Sequence, residues 1–91
     1  MAYARVVNIE YKVPERLEAA IKNWTEEGFK SFPPALSRVA IRTGPNSTML
    51  VAIYETEEKA EEARQIAENL AGKHDALHEV IDFHGEVIHQ E

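Results

Sequence analysis

The chain has 91 residues, no cysteine, and 16 acidic against 10 basic residues, for a net charge of −6. That length makes one domain with a modest core, the acidic balance disfavours nucleic acid because phosphates repel it, and the missing cysteine removes disulfides, thiolate metal sites and cysteine nucleophiles. Arg5, Glu10, Lys12, Glu15, Arg16 and Glu18 interrupt the first twenty residues and no later run approaches the roughly 20 apolar residues of a membrane span, so a cytoplasmic protein without a membrane partner is expected.

In Tyr3 to Val13 the residues Val7, Ile9, Tyr11 and Val13 fall at every second position, with Asn8, Glu10 and Lys12 between them, which is the period of a half-buried strand. Pro14 suits the first turn of a helix, where its missing N–H costs nothing, and Leu17, Ala20, Ile21, Trp24 and Gly28 follow at helical spacing, opposite a charged face of Glu15, Glu18, Lys22 and Glu26. Pro33 and Pro34 place its end by about Ser31. Leu36 to Thr43 and Thr48 to Glu55 are β-rich runs around the turn-forming Gly44-Pro45-Asn46-Ser47, which predicts a hairpin. Opposing Thr43 to Met49 puts Val39, Ile41, Met49, Val51 and Ile53 on one face and Arg38, Ala40, Arg42, Leu50, Ala52 and Tyr54 on the other. Thr56 then caps a second helix rich in early glutamates, whose stripe runs through Ala60, Ala63, Ala67, Leu70, His74 and Leu77, with Gly72 a weak point. A fourth strand is expected from Val80 to His89, with Ile81, Phe83 and Val87 on one face and Asp82, His84 and Glu86 on the other.

Strand, helix, hairpin, helix, strand is the split βαβ order, which predicts an α+β fold of the ferredoxin-like βαββαβ kind: a four-stranded antiparallel sheet with two helices on one face. Covering the other face by self-association would help so small a domain, so a homodimer is expected. Together with the Pro14-started helix, the short hairpin and the run Tyr54-Glu55-Thr56-Glu57-Glu58 before the second helix, this order resembles the dimeric α+β barrel superfamily, which includes the antibiotic-biosynthesis-type monooxygenases. The resemblance spans essentially the whole chain and implies sheet-to-sheet pairing with a cleft in each subunit.

If the apolar strand faces meet the helices, the other sheet face gathers Asn8, Glu10, Arg38, Arg42, Tyr54, Asp82, His84 and Glu86. Such a set is either a solvated face paired across a dimer or a pocket for a small aromatic or anionic molecule. In the pocket reading Arg38 or Arg42 forks onto the anion, and His84, with Tyr54 and Asn8, forms the catalytic set. No cofactor is needed if an electron-rich substrate anion reacts with oxygen directly, because the protein then only deprotonates and positions it. His74 and His78 are four residues apart, which on a helix puts both on one face, but no third ligand follows a metal-site pattern and no metal is assigned. The haem-degrading monooxygenases of the superfamily use an asparagine on strand one, a tryptophan within helix two and a histidine late in helix two. Asn8 and His74 match by position, which marks His74 as a ligand-binding candidate; the tryptophan does not, since helix two reads Ala60, Ala63 and Arg64 there and Trp24 is in helix one. No Ser-His-Asp order, phosphate loop or calcium loop is present. The expected functions, in order, are a small-molecule-binding or stress-related dimer, a cofactor-independent monooxygenase-like enzyme acting on an aromatic or quinol-type substrate, and a self-associating module in which Arg38 and Arg42 meet carboxylates of the second copy.

Overall fold

The computed structural model describes residues 2–72 and 77–91. Its elements are β1 (Tyr3–Tyr11), α1 (Pro14–Glu26), β2 (Ser37–Gly44), β3 (Ser47–Tyr54), α2 (Glu57–Gly72) and β4 (Leu77–Glu86). The strands form one antiparallel sheet in the order β2-β3-β1-β4, with α1 and α2 packed on β1 and β3, which is the ferredoxin-like arrangement the element order predicts.

Local chemistry explains where each helix begins and ends. Pro14 opens α1 at its first position, with extended Val13 before it. The helix stops earlier than Ser31 because Gly28 takes φ +69°, a left-handed conformation that costs glycine little, and lets its N–H bond the Trp24 carbonyl while Glu27 N–H bonds that of Asn23. Gly28 therefore terminates the helix instead of extending its stripe. Thr56 caps α2 as expected, its Oγ1 accepting the Lys59 backbone N–H at 3.2 Å. The hairpin turn is Pro45-Asn46, and Asn46 ties the tip to the end of β1: its side-chain amide donates to the Tyr11 carbonyl at 2.6 Å, and its own carbonyl accepts Tyr11 N–H at 2.7 Å.

The hairpin register opposes Ile41 to Met49 and Val39 to Val51. This is two residues from the register that opposes Thr43 to Met49, a shift that keeps every side chain on its expected face because the pleat repeats every second residue. The assignment of those faces to core and exterior is reversed. Across the sheet, Arg38, Ala52, Arg5 and His84 form one row, flanked by a row of Ala40, Leu50, Val7 and Asp82, and this is the side the helices cover. Here Arg5, Val7, Tyr11, Thr48, Ala52 and Tyr54 are buried against Leu17, Ala60 and Ala63. On the outer side, Val39, Val51, Val6 and Phe83 make one row, and Ile41, Met49, Asn8 and Ile81 the next.

The reversal has a packing cause. The helix-facing centre of the sheet is small, with Ala52 meeting Ala60 and Ala63 so that α2 can approach closely. Arg38 and Arg42 on that side find partners on the loop after α1 and on α1, and Arg5 on β4, while Arg5 Nε and Thr48 Oγ1 are buried without a partner among the described residues. Ile53, expected in the core, belongs to the outer side with Ala4 and is only partly buried.

Candidate functional site

Two polar clusters lie under the helices. At the β4 edge, Arg5 sits on β1 with its side chain only 6% exposed, and its Nη2 donates to Asp82 Oδ2 on β4 at 2.6 Å. Burying a guanidinium demands this pairing, and the short charge-assisted bond supplies it. Its Nε is buried with no partner among the described residues. Beside it, Tyr3 Oη and His84 Nδ1 are 3.2 Å apart, with ring centroids at 6.0 Å. From the first turns of α2, Arg64 reaches Glu61 through two bonds, one of them from Nε at 2.9 Å, and Glu68 through Nη1. The hydrogen bond from Arg64 lowers the Glu61 carboxyl below its ordinary range, and Glu61 raises the guanidinium in return. Tyr3, Arg5, Glu57, Ala60, Glu61, Arg64 and His84 line a recess with a free volume of about 30 Å³, room for one oxygen-sized group.

The second cluster, at the β2 edge, is filled by its own chain. Arg38 donates to the Pro33 carbonyl at 3.2 Å and to Tyr54 Oη at 3.3 Å, and its guanidinium carbon stands 4.8 Å from the Phe29 ring centroid and 5.9 Å from those of Phe32 and Tyr54. Trp24 stacks on Phe29 at 6.1 Å and Phe29 meets Phe32 edge-on at 5.5 Å, so the loop after α1 folds as an aromatic cover over one arginine. Cation–π contacts of this kind contribute about 0.5–2 kcal/mol each, and they leave Arg38 committed to the fold. Arg42 pairs with Glu18 of α1 at 2.7 Å on the surface.

These positions sort the residues singled out by sequence. His84 is exposed at the mouth of the β4-edge recess. Tyr54 is 1% exposed, with its hydroxyl spent on Arg38. Asn8 lies on the opposite face of the sheet, in register with Met49 and Ile81. The structure therefore does not bring His84, Tyr54 and Asn8 together, and the expected open polar face does not exist: Glu10 shares the outer side with Asn8, while Arg38, Arg42, Tyr54, Asp82, His84 and Glu86 share the helix side. Within the subunit Arg38 donates to the Pro33 carbonyl and the Tyr54 hydroxyl, and Arg42 pairs with Glu18. His78 lies in β4, so the four-residue spacing no longer implies a shared helical face, and His74 lies outside the described residues. Among the described residues no group of three or more His, Asp or Glu is placed to hold a metal ion.

Tyr3, Arg5, Glu61 and Arg64 were not singled out by sequence. Arg5 carried the only available signal, a lone charge at a position that alternates in phase with Val7, Ile9 and Tyr11. A charge in phase with an apolar stripe is a buried charge, and buried charges need partners.

No protein-family model matches the chain, and no characterised protein matches it in sequence. Solved structures share the fold. A protein of unknown function from Nitrosomonas europaea superposes with TM-score 0.73 at 16% identity, over 99% of this chain and 92% of that one. A dimeric ferredoxin-like protein from an uncultured marine organism gives 0.73 at 13% identity, over 99% and 90%. A candidate antibiotic biosynthesis monooxygenase from Chloroflexus aurantiacus gives 0.62 at 18% identity, over 99% and 98%. At these identities the likeness is one of fold.

Proposed function

We propose that the protein works as a homodimer closed through its outer sheet face, each subunit holding the oxygen-bearing head of a small molecule in the recess between α2 and the β1–β4 edge. The observation that carries the binding reading is the buried, unpartnered Nε of Arg5 in the wall of that recess. An unmet N–H inside a protein costs about 1–3 kcal/mol, which an acceptor oxygen from outside the chain offsets. The space admits only such a head group, so the body of the ligand lies over the rim, against Tyr3 and the exposed ring of His84. Arg5 is neutralised by Asp82 and Arg64 by Glu61 and Glu68, while Glu57 adds a further negative charge. This balance disfavours a polyanion and suits an aromatic hydroxyl or carbonyl compound.

Dimerisation is supported by the outer side, where Phe83 is 64% exposed, Val39 49% and Ile41 44%, and by the dimeric state of one structural neighbour. A second reading, a cofactor-independent oxygenase, is favoured by the Tyr3–His84 contact: His84 would take the proton of a substrate hydroxyl and leave an electron-rich anion to react with oxygen. Oxygen uptake on addition of a quinol separates the two.

Native mass spectrometry of the protein from its own host is expected to show a dimer carrying an organic mass. His84→Ala, at an exposed position, should keep the fold and lose that mass, with affinity falling at least ~10-fold, the scale of one lost hydrogen bond to a polar ligand. A dimer that keeps the same adduct in His84→Ala removes His84 from the site, and a wild-type dimer with no adduct argues against the binding reading.

A further inference from the structure

We infer that Asn8 is the alignment element of the homodimer, placed to meet the Asn8 of the second copy across the two-fold axis. This rests on the homodimer reading above and adds a residue-level account of how the two faces find one orientation.

The outer side of the sheet reads in four rows. Ser37, Ile53, Ala4 and Gly85 form the first, Val39, Val51, Val6 and Phe83 the second, and Ile41, Met49, Asn8 and Ile81 the third. Ser47, Glu10 and Glu79 form the last. The first three rows carry no charge, and the second and third are apolar throughout except at Asn8. Four strands about 4.8 Å apart and rows about 6.6 Å apart give an uncharged face on the order of 300–400 Å² in plan, a size at which exposed apolar surface marks an interaction site.

The occupant that fits is a second copy of this chain. Each subunit carries a net charge of −6, so two copies meet at least cost through a surface that brings no like charges into contact, and this face is one. It is also the open face of a four-stranded sheet, the shape that another sheet packs against, and its acidic row at one end sets the rim where two copies must avoid overlapping charge.

On such a face Asn8 is anomalous. It stands on β1, one of the two central strands, and in the third of four rows, so it sits near the middle of the sheet. Its side chain makes no hydrogen bond to any described residue, and covering the face would strip it of water. A buried amide without a partner costs about 1–3 kcal/mol, so alignments that leave it unmatched are penalised. In a two-fold interface a residue near the axis faces its own copy. Packed sheets lie about 10 Å apart, close to the span of two asparagine side chains joined by one hydrogen bond, so the amides can satisfy each other there. A sheet-on-sheet contact made only of Val, Ile, Met and Phe slides with little penalty; a single amide pair selects one position, as a lone buried asparagine does between coiled-coil helices.

The test exchanges charges at position 8 in the full chain. Asn8→Asp and Asn8→Lys leave the isolated subunit folded, as circular dichroism will show, because this face is open to water in a monomer. Each alone should weaken self-association at least ~100-fold in sedimentation equilibrium, since like charges face one another. Mixed in equal amounts, they should form a heterodimer, identified by mass, at least ~10-fold tighter than either homodimer. A wild-type dimer whose two variants show no gain on mixing places position 8 away from its own copy and overturns this inference while leaving the homodimer intact. A wild-type monomer at high concentration overturns both.

Discussion

The two sides of this sheet differ in how polarity is arranged: on the helix side Arg38, Arg42, Asp82 and His84 lie on the edge strands with Arg5 alone among the charges buried between them, and the open side is largely apolar from edge to edge. The side under the helices carries Arg5, Asp82, His84, Arg38 and Arg42, and the side left open in the subunit carries Val6, Val39, Ile41, Val51, Ile81 and Phe83. The covered side survives because its charges are matched within the subunit, Arg5 by Asp82, Arg42 by Glu18 and Arg38 by a carbonyl, a phenol and aromatic faces, while three small residues let α2 come close. The open side has no such cover among the described residues, and that exposed apolar surface is the ground of the proposed dimer. In the dimer proposed above, the helix side would hold the ligand and the open side would meet the second copy.

The strongest way to break this comparison is to put the same charge on both sides. Ala63→Asp places a carboxylate at a position with no exposure, between α2 and the sheet, and is expected to cost at least about 4 kcal/mol. That is a large share of the roughly 5–14 kcal/mol a domain of this length commands, and the variant should be largely unfolded by circular dichroism. Val51→Asp, in the middle of the outer side, should leave the subunit folded and abolish the dimer in sedimentation. If Val51→Asp unfolds the chain and Ala63→Asp does not, the two sides have been misassigned.

The alternation along β2, β3 and β4 was legible in the sequence, and so was the membership of each face, because a period of two sorts residues into two sets without reference to anything else. Which set meets the helices was not legible. Hydrophobicity pointed to Val39, Ile41, Val51 and Ile53 as core, and that inference fails here because this set lies on the side away from the helices. The deciding signal lay in β1, where Val7 and Tyr11 share their phase with Arg5, and in the alanines of α2, which fit a sheet side of small and polar residues better than one of Ile and Phe. His84 lines the recess, but on the helix side and not on the open face where the sequence pattern put it. Its partners were not legible, because Tyr3, Arg5 and Arg64 are joined to it only by strand pairing and helix packing, at separations of 20 to 81 residues that no local pattern records. The end of α1 shows the same limit on a small scale: the two prolines were conspicuous, yet Gly28 stops the helix first.

A smaller effect sharpens the claim that charge on the covered side is tolerated only because it is matched. Asp82→Ala leaves the Arg5 guanidinium buried without its carboxylate. Removing one partner of a buried pair costs about 3–5 kcal/mol, and because Asp82 retains some contact with water the expected loss is nearer 2–3 kcal/mol, read as a lower denaturant midpoint at unchanged slope. Asp82→Leu combined with Arg5→Met should recover much of it, since an apolar pair removes the unmatched charge along with its partner. Arg42→Ala, which breaks the exposed pair with Glu18, should change stability by less than about 1 kcal/mol.

The smallest effect concerns Tyr11, at the edge of the covered side, where burial raises the phenol above its ordinary value. Ionising that hydroxyl is harder in the folded chain than in the unfolded one. Below about pH 10, the unfolded value, the phenol is protonated in both states and its stabilising contribution is complete. Above that, the unfolded chain releases the proton first, so stability falls as pH rises through the folded value. Tyr11→Phe removes this titration and nothing charged. The two proteins should therefore differ by a constant amount, within about 1 kcal/mol, from pH 6 to 9, and the wild type should then lose stability faster than Tyr11→Phe as the pH passes 10. Parallel curves through pH 11 would mean that Tyr11 is as wet as the outer side, and that the helices do not close the covered side at its β1 end.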